Sequence, residues 1–340
     1  MKHSILLFVL FSFLCVLSAS AQTLYYKGTP DKPGSGKNVV LVSGDEEYRS
    51  EEMVVQLGRI LAEHHGFNCT VLFAINPQTG EIDPLTLNNI PGLEALLKAD
   101  IAVFFLRFRD LPDEQMKYID DYLKAGKPVI GIRTATHAFS IKSGTYRHYS
   151  FDYSGEKKDW QQGFGRKILG ETWINHHGHH GKEATRGIVA PEQKSHPIVK
   201  GCEDIFGPTD VYQVRLPLPD SATPLFFGQV LSGMNSTDKP VENEKNDPMM
   251  PLAWLKPYSF SPGTNSTGVS LTSTIGSSQD FAGEGVRRMF VNAVYYLTGL
   301  ESVILDRAEV GIVGKYEPLP MGFGKCKKGL KPADLADTER

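Results

Sequence analysis

Cysteine is scarce in this sequence, with four residues in a chain of 340. Cys15 lies in the apolar N-terminal stretch, which leaves Cys69, Cys202 and Cys326 for the rest of the chain. Three thiols form at most one bridge, so a disulfide-stapled scaffold is excluded. The fold must depend on a hydrophobic core, for which a hydrophobic content of 41% is sufficient.

A basic excess, a membrane-length apolar run and an internal repeat are also missing. The formal net charge is −3 at pH 7, and no basic stripe stands out, so nucleic acid is not an expected partner. The apolar run from Ile5 to Leu17 has 13 residues, which is too short to span a bilayer comfortably.

The N-terminal 21 residues have the pattern of a secretory signal peptide. Lys2 and His3 precede the apolar run, and Ala19-Ser-Ala21 before Gln22 fits the small-residue rule for cleavage. We therefore expect cleavage after Ala21 and a periplasmic or secreted protein with no membrane span after cleavage. A retained signal anchor is the alternative.

Strand and helix patterns alternate through the first part of the chain. This alternation predicts an α/β fold with a mainly parallel sheet flanked by helices. The predicted strands are 39–42, 69–75, 101–106 and 129–132, and the predicted helices are 51–65, 91–98 and 113–125.

The regular alternation stops after His137. Residues 143–183 are rich in Gly, Tyr, His and Trp without a sustained period, and a long irregular excursion of this kind is usually functional. Later β patterns lie at 187–189, 211–216, 224–229, 252–256 and 269–274, before a helix at 285–297. We expect one domain over 38–300, a loosely ordered lead at 22–37 and a tail at 301–340.

The turn after the fourth predicted strand is the most informative segment. Val129 to Ile132 has the apolar pattern of a buried parallel strand, and Arg133, Thr134 and His137 follow it directly. Ligands bind at the carboxyl ends of strands in open α/β sheets, and a strand-to-helix turn there often carries a nucleophile. Here Arg133 stands where a Cys or Ser would be expected.

Several segments resemble the ThuA-like family, which is named for trehalose utilisation. The matching segments are residues 40–49, 105–111, 131–139, 175–181, 196–201 and 272–277, and together they cover roughly 38–300. The resemblance implies a flavodoxin-like fold of the class I glutamine amidotransferase type. It also implies a role in processing sugars, including oxidised (keto) sugars.

Glutamine amidotransferase activity is nevertheless not expected. That chemistry needs a cysteine nucleophile at the turn and a histidine partner. The turn has Arg133 instead, and none of the three cysteines follows a predicted sheet strand at such a turn.

Three predicted strand ends supply the candidate site residues. Carboxylates, guanidinium groups and an imidazole in one crevice shift one another's pKa and suit acid–base chemistry on a polar ligand. The candidate catalytic residues are His137, Arg133, Glu46 and His177. The candidate substrate-binding residues are Gly44, Asp45, Tyr48, Arg107, Arg109, Thr134, His179 and Asp210. We expect His137 to titrate near pH 6.5 and Arg133 to anchor an anionic oxygen in the pocket.

A histidine-rich loop is the second candidate feature. His176, His177, His179 and His180 offer imidazoles, which are common ligands of transition metals. A central glycine and the lack of a glutamate separate this loop from the helical zinc motif. Three roles for these histidines remain open: binding a divalent metal, acting as acid–base or sugar-binding groups, and capping the loop. No other cofactor is indicated. Nearby aromatic residues, among them Trp160 and Trp173, suit either sugar rings or core packing.

Two classes of function follow from these observations. The first is an exported lyase, hydrolase or isomerase that acts on a carbohydrate. The second is a non-catalytic sugar-binding or accessory protein. In both classes the partner is a small carbohydrate, and the sequence names neither the substrate nor the bond that is changed.

Overall fold

A ten-stranded sheet is the main element of the protein. The computed structural model describes residues 22–219, 221–260 and 266–336, and within these ranges the sheet has the order β1-β3-β2-β4-β5-β10-β9-β8-β6-β7. The predicted signal peptide lies outside the described residues. The strands are β1 (Leu24–Tyr26), β2 (Asn38–Gly44), β3 (Asn68–Phe73), β4 (Ile101–Leu106), β5 (Val129–Ile132), β6 (Thr185–Val189), β7 (Phe206–Gly207), β8 (Thr223–Val230), β9 (Met250–Ser259) and β10 (Thr267–Ser273).

The sheet is mixed, so the α/β class is confirmed but the prediction of a mainly parallel sheet is wrong. Strands β3, β2, β4, β5 and β10 pair in parallel. The remaining five of the nine pairings are antiparallel: β1 on β3, and the series β10, β9, β8, β6 and β7. Parallel pairing needs a long crossover, usually helical, and the described residues of the links between β8, β9 and β10 contain no such helix. Strand periodicity alone does not reveal direction.

The parallel half of the sheet is buried on both faces. Val39 and Leu41 of β2 pack into the core on one face, and Val40 and Val42 pack into the core on the other. Helices α1 (Ser50–Glu63) and α3 (Glu284–Leu297) contribute to the first core, and α2 (Asp113–Lys124) contributes to the second. Burial on both faces explains why these strands are continuous apolar runs. In the described ranges, no helix is long and apolar enough to cross a membrane.

Three segments differ from the sequence prediction. The lead at 22–37 is not loosely ordered throughout, because Leu24–Tyr26 pairs with β3 and both end residues pack into the core. Residues 211–216 form no strand; Tyr212 makes a single bridge with His176. The helix predicted at 91–98 is a 3₁₀ helix, Leu93–Lys98. Each outcome depends on a partner distant in sequence, which a local pattern does not contain.

The C-terminal segment from Glu301 packs against α1 and the sheet edge. The backbone N–H of Ile82 donates to the carbonyl of Leu330 at 2.7 Å, and the Tyr316 hydroxyl donates to the carbonyl of Ser278 at 2.6 Å. The buried imidazole of His65 lies 2.7 Å from the carbonyl oxygen of Glu309. The predicted tail, as far as residue 336, is therefore part of the folded unit.

We predict that His65 makes the protein less stable in mild acid. Burial lowers the pKa of His65 to about 4, so the unfolded chain, in which the pKa is about 6.5, binds a proton that the folded chain does not. The free energy of unfolding should therefore fall by about 2 kcal/mol between pH 7 and pH 5 from this group. Urea unfolding of the wild type and of His65→Gln at both pH values tests this. An equally steep decline in the variant would contradict it.

Candidate functional site

Three strained backbone positions mark one edge of the sheet. Arg49, Phe108 and Arg133 have left-handed φ values of 57°, 52° and 43°, and they follow strands β2, β4 and β5. Non-glycine residues in this region carry a conformational cost that the surrounding structure must offset, and such residues cluster at functional sites. The carboxyl ends of three neighbouring parallel strands therefore turn sharply into one crevice.

A small pocket lies in this crevice. Its volume is about 30 Å³, well below the roughly 300–1,000 Å³ of typical ligand pockets, so only one group of a ligand fits inside it. The residues that line it are Glu47, Tyr48, Arg107, Phe108, His137, Trp173, His176 and Tyr212. Aromatic faces and a few charged groups thus converge on the same space.

Glu47 is the carboxylate on the pocket wall. Its oxygens lie 3.7 Å from the Arg107 guanidinium and 3.6 Å from Nε2 of His180. Burial raises the pKa of Glu47, and the charge of Asp45 adds to this effect while Arg107 opposes it. A raised pKa brings the carboxyl closer to neutral pH, where it can both accept and release a proton.

Glu46 is held away from the pocket by two arginines. It forms ion pairs with Arg107 and with Arg109, the latter at 3.0 Å. Arg109 is fully buried and also donates to the carbonyls of Pro84 and Thr86 at 2.9 and 3.1 Å. Neither Glu46 nor Arg109 lines the pocket, so both position Arg107 and the strand ends instead.

Arg133 does not reach the pocket, which corrects the expectation that it anchors a ligand there. Its guanidinium is fully buried and donates to Thr209 Oγ1 at 2.8 Å and to the carbonyls of Asp210 and Thr274 at 3.0 and 2.6 Å. Its Cζ lies 4.2 Å from the ring centre of Tyr48 and 4.5 Å from that of Tyr212. Arg133 therefore supports two of the aromatic walls from behind.

His137 lines the pocket, but the expectation that it titrates near pH 6.5 is wrong. Burial holds the pKa of His137 well below that value, and the charges of Arg107 and Arg133 lower it further. Its ring packs 5.0 Å from Phe108 and 5.4 Å from Trp173, centre to centre. His137 is thus a neutral imidazole in an aromatic wall.

Asp210 joins two of the four clustered histidines. Nδ1 of His176 lies 2.7 Å from one carboxylate oxygen of Asp210, and Nδ1 of His180 lies 2.9 Å from the other. Burial opposes the charged form of Asp210, but the two imidazole hydrogen bonds outweigh it and the pKa of Asp210 is lowered. The hydrogen bond to Asp210 likewise raises the pKa of His180.

The other two histidines of the loop lie elsewhere. Nε2 of His177 is 2.7 Å from the carbonyl oxygen of Lys245, and His179 is exposed, with its backbone N–H donating to Glu183 at 2.6 Å. The structure thus brings His176 and His180 into the site and leaves His177 and His179 outside it. The loop has no regular secondary structure, so the spacing of its four histidines does not predict which of them enter the site.

The remaining candidates shape the crevice rather than face its interior. Gly44 ends β2 where a Cβ atom would lie 3.0 Å from Leu106 and 3.1 Å from Arg109, so a larger residue would crowd both side chains. Asp45 accepts the backbone N–H groups of Glu47 and Tyr48. Thr134 is fully buried and does not line the pocket.

Phe108 of the pocket wall and Asp280 behind it have no signal in the sequence. Phe108 forms part of the wall, and its left-handed backbone gives no sequence signal. Asp280 accepts the Thr209 hydroxyl at 2.6 Å and the backbone N–H groups of Gly276 and Ser277 at 2.9 and 2.8 Å. The backbone N–H groups of Gly276 and Ser277 therefore already have a partner within the protein and are not donors for a ligand. Trp173 lines the pocket, whereas Trp160 packs in the core.

A larger groove lies elsewhere, between α1 and the C-terminal segment. Its volume is about 530 Å³, and its lining includes Glu52, Arg59, Lys315 and Leu319. Its lining shares no residue with the pocket in the crevice. The smaller pocket is the better candidate site, because buried titratable groups, strained backbone and strand ends coincide there.

Comparison with solved structures finds proteins described as ThuA-like. One, from Bacteroides uniformis ATCC 8492, is 13% identical over 79% of this chain and 95% of that chain, with a TM-score of 0.47. Another, from Parabacteroides merdae ATCC 43184, is 15% identical over 77% of this chain and 90% of that chain, with a TM-score of 0.43. The chain resembles the ThuA-like family in its motifs and is similar to these two structures. No protein-family model and no curated protein matches the chain.

We predict that Arg133→Met destabilises the protein while Arg147→Met does not. Removal of the buried guanidinium leaves Asp210 without its cation and frees three acceptors, so the free energy of unfolding should fall by about 3 kcal/mol. Arg147 is half exposed and pairs only with Asp152 at the surface, so its loss should change stability by less than about 0.5 kcal/mol. Denaturant unfolding measures both, and equal effects would contradict the supporting role of Arg133.

Proposed function

We propose that this protein is an exported, ThuA-like enzyme that acts on a sugar or keto sugar in carbohydrate catabolism. The observation that carries the proposal is the position of Glu47: a buried carboxyl beside Arg107 that faces the aromatic residues Trp173 and Tyr212 across a small pocket. Flat aromatic faces suit sugar rings, and a carboxyl with a raised pKa suits proton transfer.

Glutamine hydrolysis is not proposed, because none of the cysteines in the described residues lines the pocket. Burial raises the pKa of Cys69 and raises that of Cys202 to about 12, so both are protonated at neutral pH. Arg133 occupies the turn where a nucleophile would stand, and its guanidinium is committed to the interior. The chemistry must therefore proceed without a cysteine nucleophile.

Enolisation of a keto sugar is the step that fits these groups. Glu47 takes a proton from the carbon next to the ketone, the C–H bond breaks, and its electron pair moves onto the ketone oxygen. The guanidinium of Arg107 lies on the same wall and stabilises the resulting negative charge. In a lyase the ketone then re-forms, a C=C bond forms, and the C–O bond on the next carbon breaks, with the leaving oxygen taking up a proton from water. An isomerase returns the proton to a different atom.

We predict that Glu47→Gln lowers proton exchange at that carbon by about 10²–10⁴-fold. The amide keeps the shape of the side chain but does not accept the proton. The measurement is NMR of a keto-disaccharide, with the unoxidised disaccharide as the comparison, incubated with enzyme in D₂O. Glu63→Gln is the matched control, since Glu63 is exposed at the end of α1. Unchanged exchange in Glu47→Gln would remove this residue from the chemistry.

We also predict that Trp173 contributes to binding more than to turnover. Its ring packs 5.4 Å from His137 and 5.9 Å from His176, so it presents an aromatic surface to the pocket. Trp173→Ala should raise KM about 3–10-fold at nearly constant kcat, and Trp173→Phe should restore most of the affinity. A fall in kcat at constant KM would assign Trp173 a different role.

A sugar-binding protein without turnover is the second candidate. It is favoured by the internal pairing of the site, because Arg109, Arg133 and Asp210 are all committed to neighbours. Calorimetry with the same sugars separates the two functions: binding without exchange or product favours the second. Export is tested separately by N-terminal sequencing of the secreted protein, which should begin at Gln22.

A further inference from the structure

The trio of His176, His180 and Asp210 has the composition and spacing of a metal site. One ligand atom from each residue lies within 4.8 Å of the others. Metal–ligand bonds of about 2.1 Å place neighbouring ligand atoms about 3 Å apart, and the two imidazole–carboxylate distances here are 2.7 and 2.9 Å. Two imidazoles and one carboxylate are a donor set used for catalytic metals with open coordination positions.

The loop that carries the histidines is fixed against the segment that carries Asp210. His176 makes a β-bridge with Tyr212, and the backbone N–H of His177 donates to the carbonyl of Val211 at 3.0 Å. Gly178 packs closely here, because a Cβ atom would lie 3.0 Å from that of Asp210. The three side chains are therefore held together by backbone contacts, which lowers the cost of assembling a ligand set.

The surroundings of the trio are also suited to a cation. Nε2 of His180 lies 3.6 Å from Glu47, so a carboxylate stands behind one imidazole, as is common for metal-bound histidine. The Tyr48 hydroxyl is buried beside Arg133 without a well-formed hydrogen bond, and Tyr48 lines the same pocket as His176. Arg133 is the opposing charge: its Nη2 lies 3.8 Å from an Asp210 carboxylate oxygen, while its Nη1 donates to three other oxygen atoms.

We propose that His176, His180 and Asp210 bind a divalent first-row transition ion. Both Nδ1 atoms and one or both carboxylate oxygens coordinate it, with each imidazole neutral and its remaining proton on Nε2. His176 borders the pocket, so the ion stands beside the substrate space. Its catalytic use, polarising a sugar oxygen, rests on the proposed function, whereas metal binding itself is measured without any sugar.

The test is titration of EDTA-treated protein with Co²⁺, followed by visible absorption, and with Zn²⁺, followed by calorimetry. We expect one ion per chain, and we expect Mg²⁺ not to compete, because imidazole ligands suit transition ions better. His176→Ala and Asp210→Asn should each weaken binding by about 100-fold. His179→Ala is the matched control, since it removes an exposed imidazole of the same loop. Circular dichroism establishes that each variant is folded.

The outcomes separate this proposal from the proposed function. Wild-type affinity no greater than that of folded His176→Ala, or an equal loss in His179→Ala, would overturn the metal site. If metal binds as expected but keto sugars are neither bound nor changed, the metal site stands and the proposed function fails. If sugar turnover persists in protein that binds no Co²⁺ or Zn²⁺, the proposed function stands and the metal site fails.

Discussion

The buried guanidinium of Arg133 is the interaction on which the site depends. It links the turn after β5 to the carbonyl of Thr274 after β10 and to Thr209 and Asp210, which precede the aromatic wall residue Tyr212. A buried cation must be surrounded by acceptors and π faces to offset the loss of water. The contacts of Nη1 and of the two aromatic rings with this cation therefore fix the parallel strand ends relative to the segment that carries Asp210.

Backbone strain directs the chain at the same edge of the sheet. Arg49, Phe108 and Arg133 are left-handed, although none is glycine, and each has side-chain contacts that compensate. Arg49 donates to the carbonyls of Glu46 and Gly322 at 2.6 and 2.8 Å, and Phe108 packs against His137. Packing holds these three residues in their strained backbone conformations, so the crevice that they form has little freedom to rearrange.

The antiparallel strands and the C-terminal segment complete the crevice from outside the parallel half. Gly322 donates its backbone N–H to the carbonyl of Glu47 at 2.7 Å, and the Arg107 guanidinium lies 4.9 Å from the ring centre of Phe323. Glu47 and Arg107 are thus held from two directions. A domain that ended with α3 would lack this support, although α3 closes the alternating pattern visible in the sequence.

The sequence by itself determined the buried strands 39–42, 101–106 and 129–132 and the crowding of polar residues at their ends, because apolar runs and turn residues are local properties. Strand direction after residue 185 and the division of the four histidines were decided by tertiary structure. Tertiary structure also decided that the Arg133 side chain points into the interior and that the pKa of His137 is low, because burial and nearby charge depend on residues far away in the chain.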